Sequence, residues 1–443
     1  MRPTVTAVLV IVLTLAAADP SEAVRRRAFV TSVTGTGNLA SWPDAGGQAG
    51  LAAGNQICRN RAAAAGLPNA NSYRAWLSTA STDAYCHLRG LTGKRSVGCA
   101  GGPPLAAGPW YRSSAPGSQA IAADLARLVT PGGEILAPVL LDEFGTAIDT
   151  GGGVPNYWTG TDPAGEVYPD GNCASWVSAA GGQVGVTGSA LGTAQLWTLG
   201  TGAACGASLR LLCFEPGASE AVVGAWPGPA ALVFLTSATG TGDLGSWSEA
   251  GGATGAAAGD AICRTLAADA GLPAPDSFVA WLSDSTQDAR DRLTLDDPPG
   301  RADPGLSGPD APYSELDHAV PFARLDGVVV ATSVADLLDG ANAGSIHQYE
   351  TGAYKIGGGG GEVFSGTLED GTASGFDCSD WASSAPADVT RGSAASTRTA
   401  AWTDSGATSC QYSQHLYCFS NAILTFWDGF ESGGTDRWSA VAP

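Results

Sequence analysis

Short apolar runs recur twice along the chain in the same order. Ala28 to Val33 and Ala231 to Ser237 are β-type runs, each followed by a Gly-rich turn. Apolar residues then take helical spacing, at Ile57 and Cys58 in the first copy and at Ile262, Cys263, Leu266, Ala267 and Ala270 in the second. Asn55 and Asp260 are expected as N-caps, Gly66 and Gly271 as helix ends, and Pro68 and Pro273 as barriers to resumption. That spacing puts each cysteine on the buried face of a short helix. Tyr73 to Leu77 and Phe278 to Leu282 read as the following strands, with Trp76 and Trp281 pointing inward as core residues rather than ligand platforms.

The pattern is an internal repeat. Phe29 to Leu39 recurs as Phe234 to Leu244, an offset of 205 residues (234 − 29). The same offset carries Trp42 to Trp247, Cys58 to Cys263, Cys173 to Cys378, Trp176 to Trp381, Trp197 to Trp402, Cys205 to Cys410 and Cys213 to Cys418. In the middle the register drifts, and Pro109-Trp110-Tyr111-Arg112 best matches Pro321-Phe322-Ala323-Arg324. The copies diverge most over about 86–156 and 290–362, where ligand contacts are to be sought; drift in an unused loop is the alternative. Trp110, Tyr111 and Tyr157 are the aromatic candidates of the first copy, and Tyr313, Tyr349 and Tyr354 those of the second.

The ends of the chain differ from the repeats. Met1-Arg2, an apolar run from Val5 to Ala18 and a small-residue exit ending at Ala23 have the form of a signal peptide over 1–23. A transmembrane helix is the competing reading, but the run is short of the ~20 residues a span needs, and no membrane span is expected after signal removal. The expected division is then 28–216, a linker at 217–230, 231–421 and a tail at 422–443. Ten cysteines in an exported chain read as a disulfide framework. Metal binding competes weakly, since there is no C-x-x-C pair and the histidines are His87, His318, His347 and His415. A net charge of −20 argues against nucleic acid, heparin-like polyanions and anionic membranes as partners.

The helix with Asn-x-Ile-Cys or Asp-x-Ile-Cys ending in Ala-Gly-Leu, the aromatic-x-Ala-Trp-Leu-Ser strand, Tyr157 to Gly165, Cys173-Ala-Ser-Trp176 and Leu211 to Glu215 together resemble endostatin. A closer resemblance is to a bacterial family of secreted domains of unknown function, which shares segments of the type Arg324 to Gly327 and Ala335 to Gly340. The resemblance implies an α+β fold class: two tandem C-type-lectin-like (endostatin-like) domains, loop-rich and disulfide-bonded. It implies nested bridges, Cys58–Cys213 with Cys173–Cys205 and Cys263–Cys418 with Cys378–Cys410, leaving Cys86 and Cys99 for a third local bridge. It does not bring the family's ligands. Val24 to Phe29 holds no histidine for endostatin's zinc, Arg59-Asn-Arg61 and Arg264-Thr-Leu266 are a poor heparin surface, and the calcium and sugar triplets of true C-type lectins are missing.

Candidate chemistry is thin. Asp284, Asp288, Asp291, Asp296 and Asp297 form a cluster that reads as a solvated acidic face more readily than as a calcium loop. There is no Gly-x-Ser-x-Gly elbow, and no histidine holds the same place in both copies; His87 and His415 are expected on the surface or in strands. Gly357 to Gly361 lack a following Gly-Lys-Ser/Thr and read as a flexible loop. The tail from Phe426 to Ser439 resembles the C-terminal sorting peptide of many exported bacterial proteins, the alternative being a tail folded back through Phe426, Trp427 and Phe430. The expectation is a non-enzymatic bacterial protein without a cofactor, secreted or at the outer cell surface, binding a glycan or an extracellular protein through loops of both domains. A structural envelope component without a soluble ligand and a hydrolase are the alternatives.

Overall fold

The computed structural model describes residues 25–113, 119–129, 135–148, 155–219, 228–293, 320–339, 342–355, 362–397 and 400–424. The expected signal peptide, the tail from residue 425, Gly357 to Gly361, Tyr313, His318, Asp296 and Asp297 lie outside the described residues.

The fold is α+β, and each repeat joins its own two ends. In the first, strand Arg26–Val30 lies between the parallel strand Trp110–Arg112 and the antiparallel strand Arg210–Phe214. Ala120–Ala122 extends the sheet on one side, and Asn156–Trp158, Val184–Ser189 and Gly202–Ala204 extend it on the other. In the second, Ala230–Leu235 pairs with Phe322–Ala323 in parallel and with Tyr417–Leu424 antiparallel. There the strands Glu362–Phe364, Asp388–Ser393 and Gly406–Ser409 form a sheet of their own, tied to the first by the parallel bridge Val363 to His415. Among the described residues no sheet mixes strands of the two repeats.

The central strands are buried on both faces, which is why they read as continuous apolar runs. Ala28, Val30, Leu212 and Phe214 point into a cluster built around Trp76, Trp110 and Trp197. Phe29, Leu211 and Cys213 point the other way, onto Ile57 and Cys58 of helix Gly50–Ala64. The second repeat does the same, with Leu232 and Phe234 on the side of helix Gly255–Asp269 and Ala231, Val233 and Leu235 against Trp281 and Trp402. The paired indoles Trp76–Trp197 and Trp281–Trp402 both have centroids 5.1 Å apart.

Asn55 and Asp260 are not N-caps. Both lie inside their helices, which start at Gly50 and Gly255 after Ala49 and Thr254. Each Oδ1 instead accepts a bond from the backbone N–H of the next strand, Ala75 at 3.1 Å and Ala280 at 2.9 Å, clipping helix to strand. Gly66 and Gly271, at φ +66° and +68°, take the left-handed conformation just past the helix ends. The two ends of 217–230 are themselves structured: Gly217–Ala218 pairs with Ala107–Gly108, and Ala230 opens the next strand.

Five disulfides staple the chain: Cys58–Cys213, Cys86–Cys99, Cys173–Cys205, Cys263–Cys418 and Cys378–Cys410. So dense a framework fits an extracellular or secreted protein. No helix among the described residues is long and apolar enough to cross a membrane.

Candidate functional site

The tryptophan and tyrosine candidates among the described residues are not open platforms. Trp110 and Tyr157 are fully buried and Tyr111 nearly so. The Trp110 indole donates to Glu215 O, and the Tyr157 hydroxyl to Trp197 O. Tyr349 and Tyr354 are half-buried, the latter donating to Asp326 Oδ2 at 2.8 Å. Trp110 and Tyr157 thus belong to the core of the first repeat, and Tyr349 packs against that of the second.

A concavity open to solvent lies in the first repeat. It encloses about 680 Å³ between strands Val184–Ser189 and Gly202–Ala204 and the segment from Tyr168 to Ala174. One wall is a backbone oddity. Cys173, Ala174, Ser175 and Trp176 all have positive φ, from +47° to +69°, a left-handed helical turn of four non-glycine residues. Such a conformation costs roughly 1–2 kcal/mol per residue. It is held by the Cys173–Cys205 bridge, by Asn172 Oδ1 accepting from Ser175 N at 2.9 Å, and by the buried Trp176 indole donating to Ser78 O at 2.8 Å. The second repeat keeps the turn from Cys378 to Trp381, with Asp377 and Ser283 in the same roles.

The lining of the groove is not kept. Tyr168 shows 41% of its surface at the groove mouth and Val184 48%, with Asn172, Gln183 and Thr201 as polar lining. No lysine, arginine or histidine lines it, and Asp170 is its one carboxylate. The bridges Asn172–Gly185 and Asp377–Val389 align the two copies here. Gly171 then corresponds to Phe376 and Val184 to Asp388, while the turns before them, Tyr168 N to Gly160 O and Ser374 N to Gly366 O, set Tyr168 against Ser374. A Cβ on Gly171 would lie 2.6 Å from Val186 Cγ2 and 3.0 Å from the Tyr168 ring, so the open groove depends on that glycine. In the second repeat a half-exposed phenyl ring and an added carboxylate take its place.

The titratable groups are tied into structure. His87 is buried on the short helix Ala84–Leu88, not on the surface, and its Nε2 lies 2.8 Å from Asn55 Oδ1. That oxygen also accepts from Ala75 N, so it is an acceptor and His87 Nε2 must carry the proton. Burial, with Arg74 and Arg59 nearby, lowers the His87 pKa to about 3. At the same offset the second repeat has Asp260 and Arg292, an ion pair at 2.5 Å, in place of the neutral Asn55–His87 pair. His415 is also buried, with Nδ1 2.7 Å from Thr236 O, and burial takes its pKa to about 4. His347, fully buried beside Arg324 and Ser345, is lowered to about 3 by burial first and Arg324 second.

The acidic cluster is likewise spent locally. Asp284 Oδ1 accepts from Thr286 N and Gln287 N, and Asp288 accepts from Ala373 N and pairs with Arg290. Asp291 faces the same arginine at 3.9 Å. Among the described residues no group of three or more His, Cys, Asp or Glu side chains is placed to hold a metal ion. The buried carboxylates Glu143 and Glu215 are engaged by Arg61 and Ser32, and by Arg26 and Asn69.

The groove is not evident in the sequence. Its signals were local and easily passed over: a glycine where the other copy has phenylalanine, beside a cysteine turn that no residue preference marks as left-handed. Comparison with protein-family models and with curated proteins gives no match for the chain.

Proposed function

We propose that the chain is a secreted or surface-exposed binding protein, built from two C-type-lectin-like repeats of the endostatin kind, that takes a neutral glycan in the groove of its first repeat. The groove carries this reading. Its volume is within the range of about 300–1,000 Å³ common to small-ligand sites. An exposed tyrosine ring beside amide and hydroxyl groups suits a sugar's apolar face and its hydroxyls. The absence of cationic lining fits a neutral ligand better than a polyanion, in keeping with the acidic chain.

The test is a glycan array probed with the oxidised mature protein and, in parallel, with reduced protein. The expected result is binding to neutral oligosaccharides, independent of calcium and lost on reduction. Binding confined to sulfated or sialylated glycans, or no binding at high micromolar protein, would refute the reading.

A further inference from the structure

The two repeats meet through equivalent residues. Gly192 and Ser396 form an antiparallel bridge, and each stands three residues past an equivalent strand residue, Ser189 paired with Asn156 and Ser393 paired with Glu362. The flanking bonds are reciprocal: Thr193 N donates to Ala395 O at 2.8 Å, and Thr397 N donates to Leu191 O at 3.1 Å. Two buried arginines repeat the exchange. Arg112 holds its own Pro138 O through Nε and reaches Ala343 O of the other repeat through Nη2 at 2.8 Å. Arg324 holds its own Ser345 O through Nη1 and reaches Leu136 O through Nη2 at 2.7 Å. Leu136 and Ala343 are themselves equivalent, since their N–H groups bond Ile121 O and Val330 O on matching strands.

A contact in which residue i meets j and the equivalent of j meets the equivalent of i is the signature of an isologous, two-fold interface. We propose that this surface is self-complementary, so that the chain is a fused pseudo-dimer and each repeat's partner is the other repeat or, in its absence, a second copy of itself. Apart from the Thr193–Ser345 hydroxyl pair at 2.7 Å, the cross-repeat acceptors are backbone carbonyls, which either repeat supplies whatever its side chains. No disulfide joins the repeats, so the docking is non-covalent.

The test uses the full chain with a specific protease site placed within 220–227. After cleavage the two halves are expected to co-elute at the size of the intact chain at micromolar concentration; halves that separate overturn the proposal. Thr193→Asp puts a carboxylate into the contact, with native disulfides and near-ultraviolet circular dichroism as the check on folding. It is expected to weaken association roughly a hundredfold. The freed second halves, whose own surface is unaltered, should then elute at twice their mass. Elution as single halves refutes self-complementarity, and co-elution of the Thr193→Asp halves refutes the assigned surface. Thr397→Asp is the mirror variant and should free first halves that pair with each other.

Discussion

His87 offers a sharp quantitative test of how the repeats differ. In the folded chain its imidazole is neutral, with its pKa lowered to about 3 by burial and by Arg74 and Arg59. Unfolded, it titrates near its ordinary value of about 6.5. The folded state therefore binds fewer protons between these values. The stability this confers is complete above about pH 6.5 and is lost as the pH falls toward 3, at about 1.4 kcal/mol per unit. Between pH 7 and pH 5 the loss is about 2 kcal/mol for this one residue. His87→Gln keeps a donor for Asn55 Oδ1 and removes the titration. Urea unfolding of the oxidised protein and the variant should then show a stability difference that shifts by about 2 kcal/mol in the variant's favour from pH 7 to pH 5. A difference that stays constant, or an imidazole resonance that titrates near pH 6.5 in the folded protein, would refute the argument.

Other expectations follow from the same geometry. His347 and His415 are held neutral in the same sense, so the chain should lose roughly 6 kcal/mol from the three histidines between pH 7 and pH 5, read as a falling thermal midpoint. Grafting the second repeat's pair into the first should show coupling: Asn55→Asp beside neutral His87 costs about 1–3 kcal/mol at pH 7, and Asn55→Asp with His87→Arg recovers most of it in a double-mutant cycle. Replacing both Cys173 and Cys205 by Ala opens a loop of sequence separation 32. On the chain-entropy model this should lower stability by about 4 kcal/mol, measured by denaturant unfolding. The same change should abolish ligand binding, whereas opening the equivalent Cys378–Cys410 loop should leave binding intact.

Much of the fold was legible because it rests on residues with few alternatives. The cysteines and tryptophans at constant offset mark the two cores, and Gly66 and Gly271 end the helices as their left-handed backbone requires. Asn55 and Asp260 misled because a short polar side chain before an apolar helical run has two uses. It can cap its own helix or reach a neighbouring strand, and only packing decides which. The divergent segments have a further contact that the sequence does not show: through Arg112 and Arg324 they reach backbone carbonyls of the other repeat. The groove was illegible because its walls come from separated stretches, Tyr168 to Ala174 and Gln183 to Gly202, and from a left-handed turn of residues that seldom adopt it.

The most direct measurement is a calorimetric titration of the oxidised protein with a neutral oligosaccharide retained on the array, repeated with Tyr168→Ala and Phe376→Ala. The account predicts one site per chain, affinity weakened about tenfold, or about 1.4 kcal/mol, by Tyr168→Ala, and no change with Phe376→Ala. Two equivalent sites per chain, or full affinity after loss of the Tyr168 ring, would contradict it.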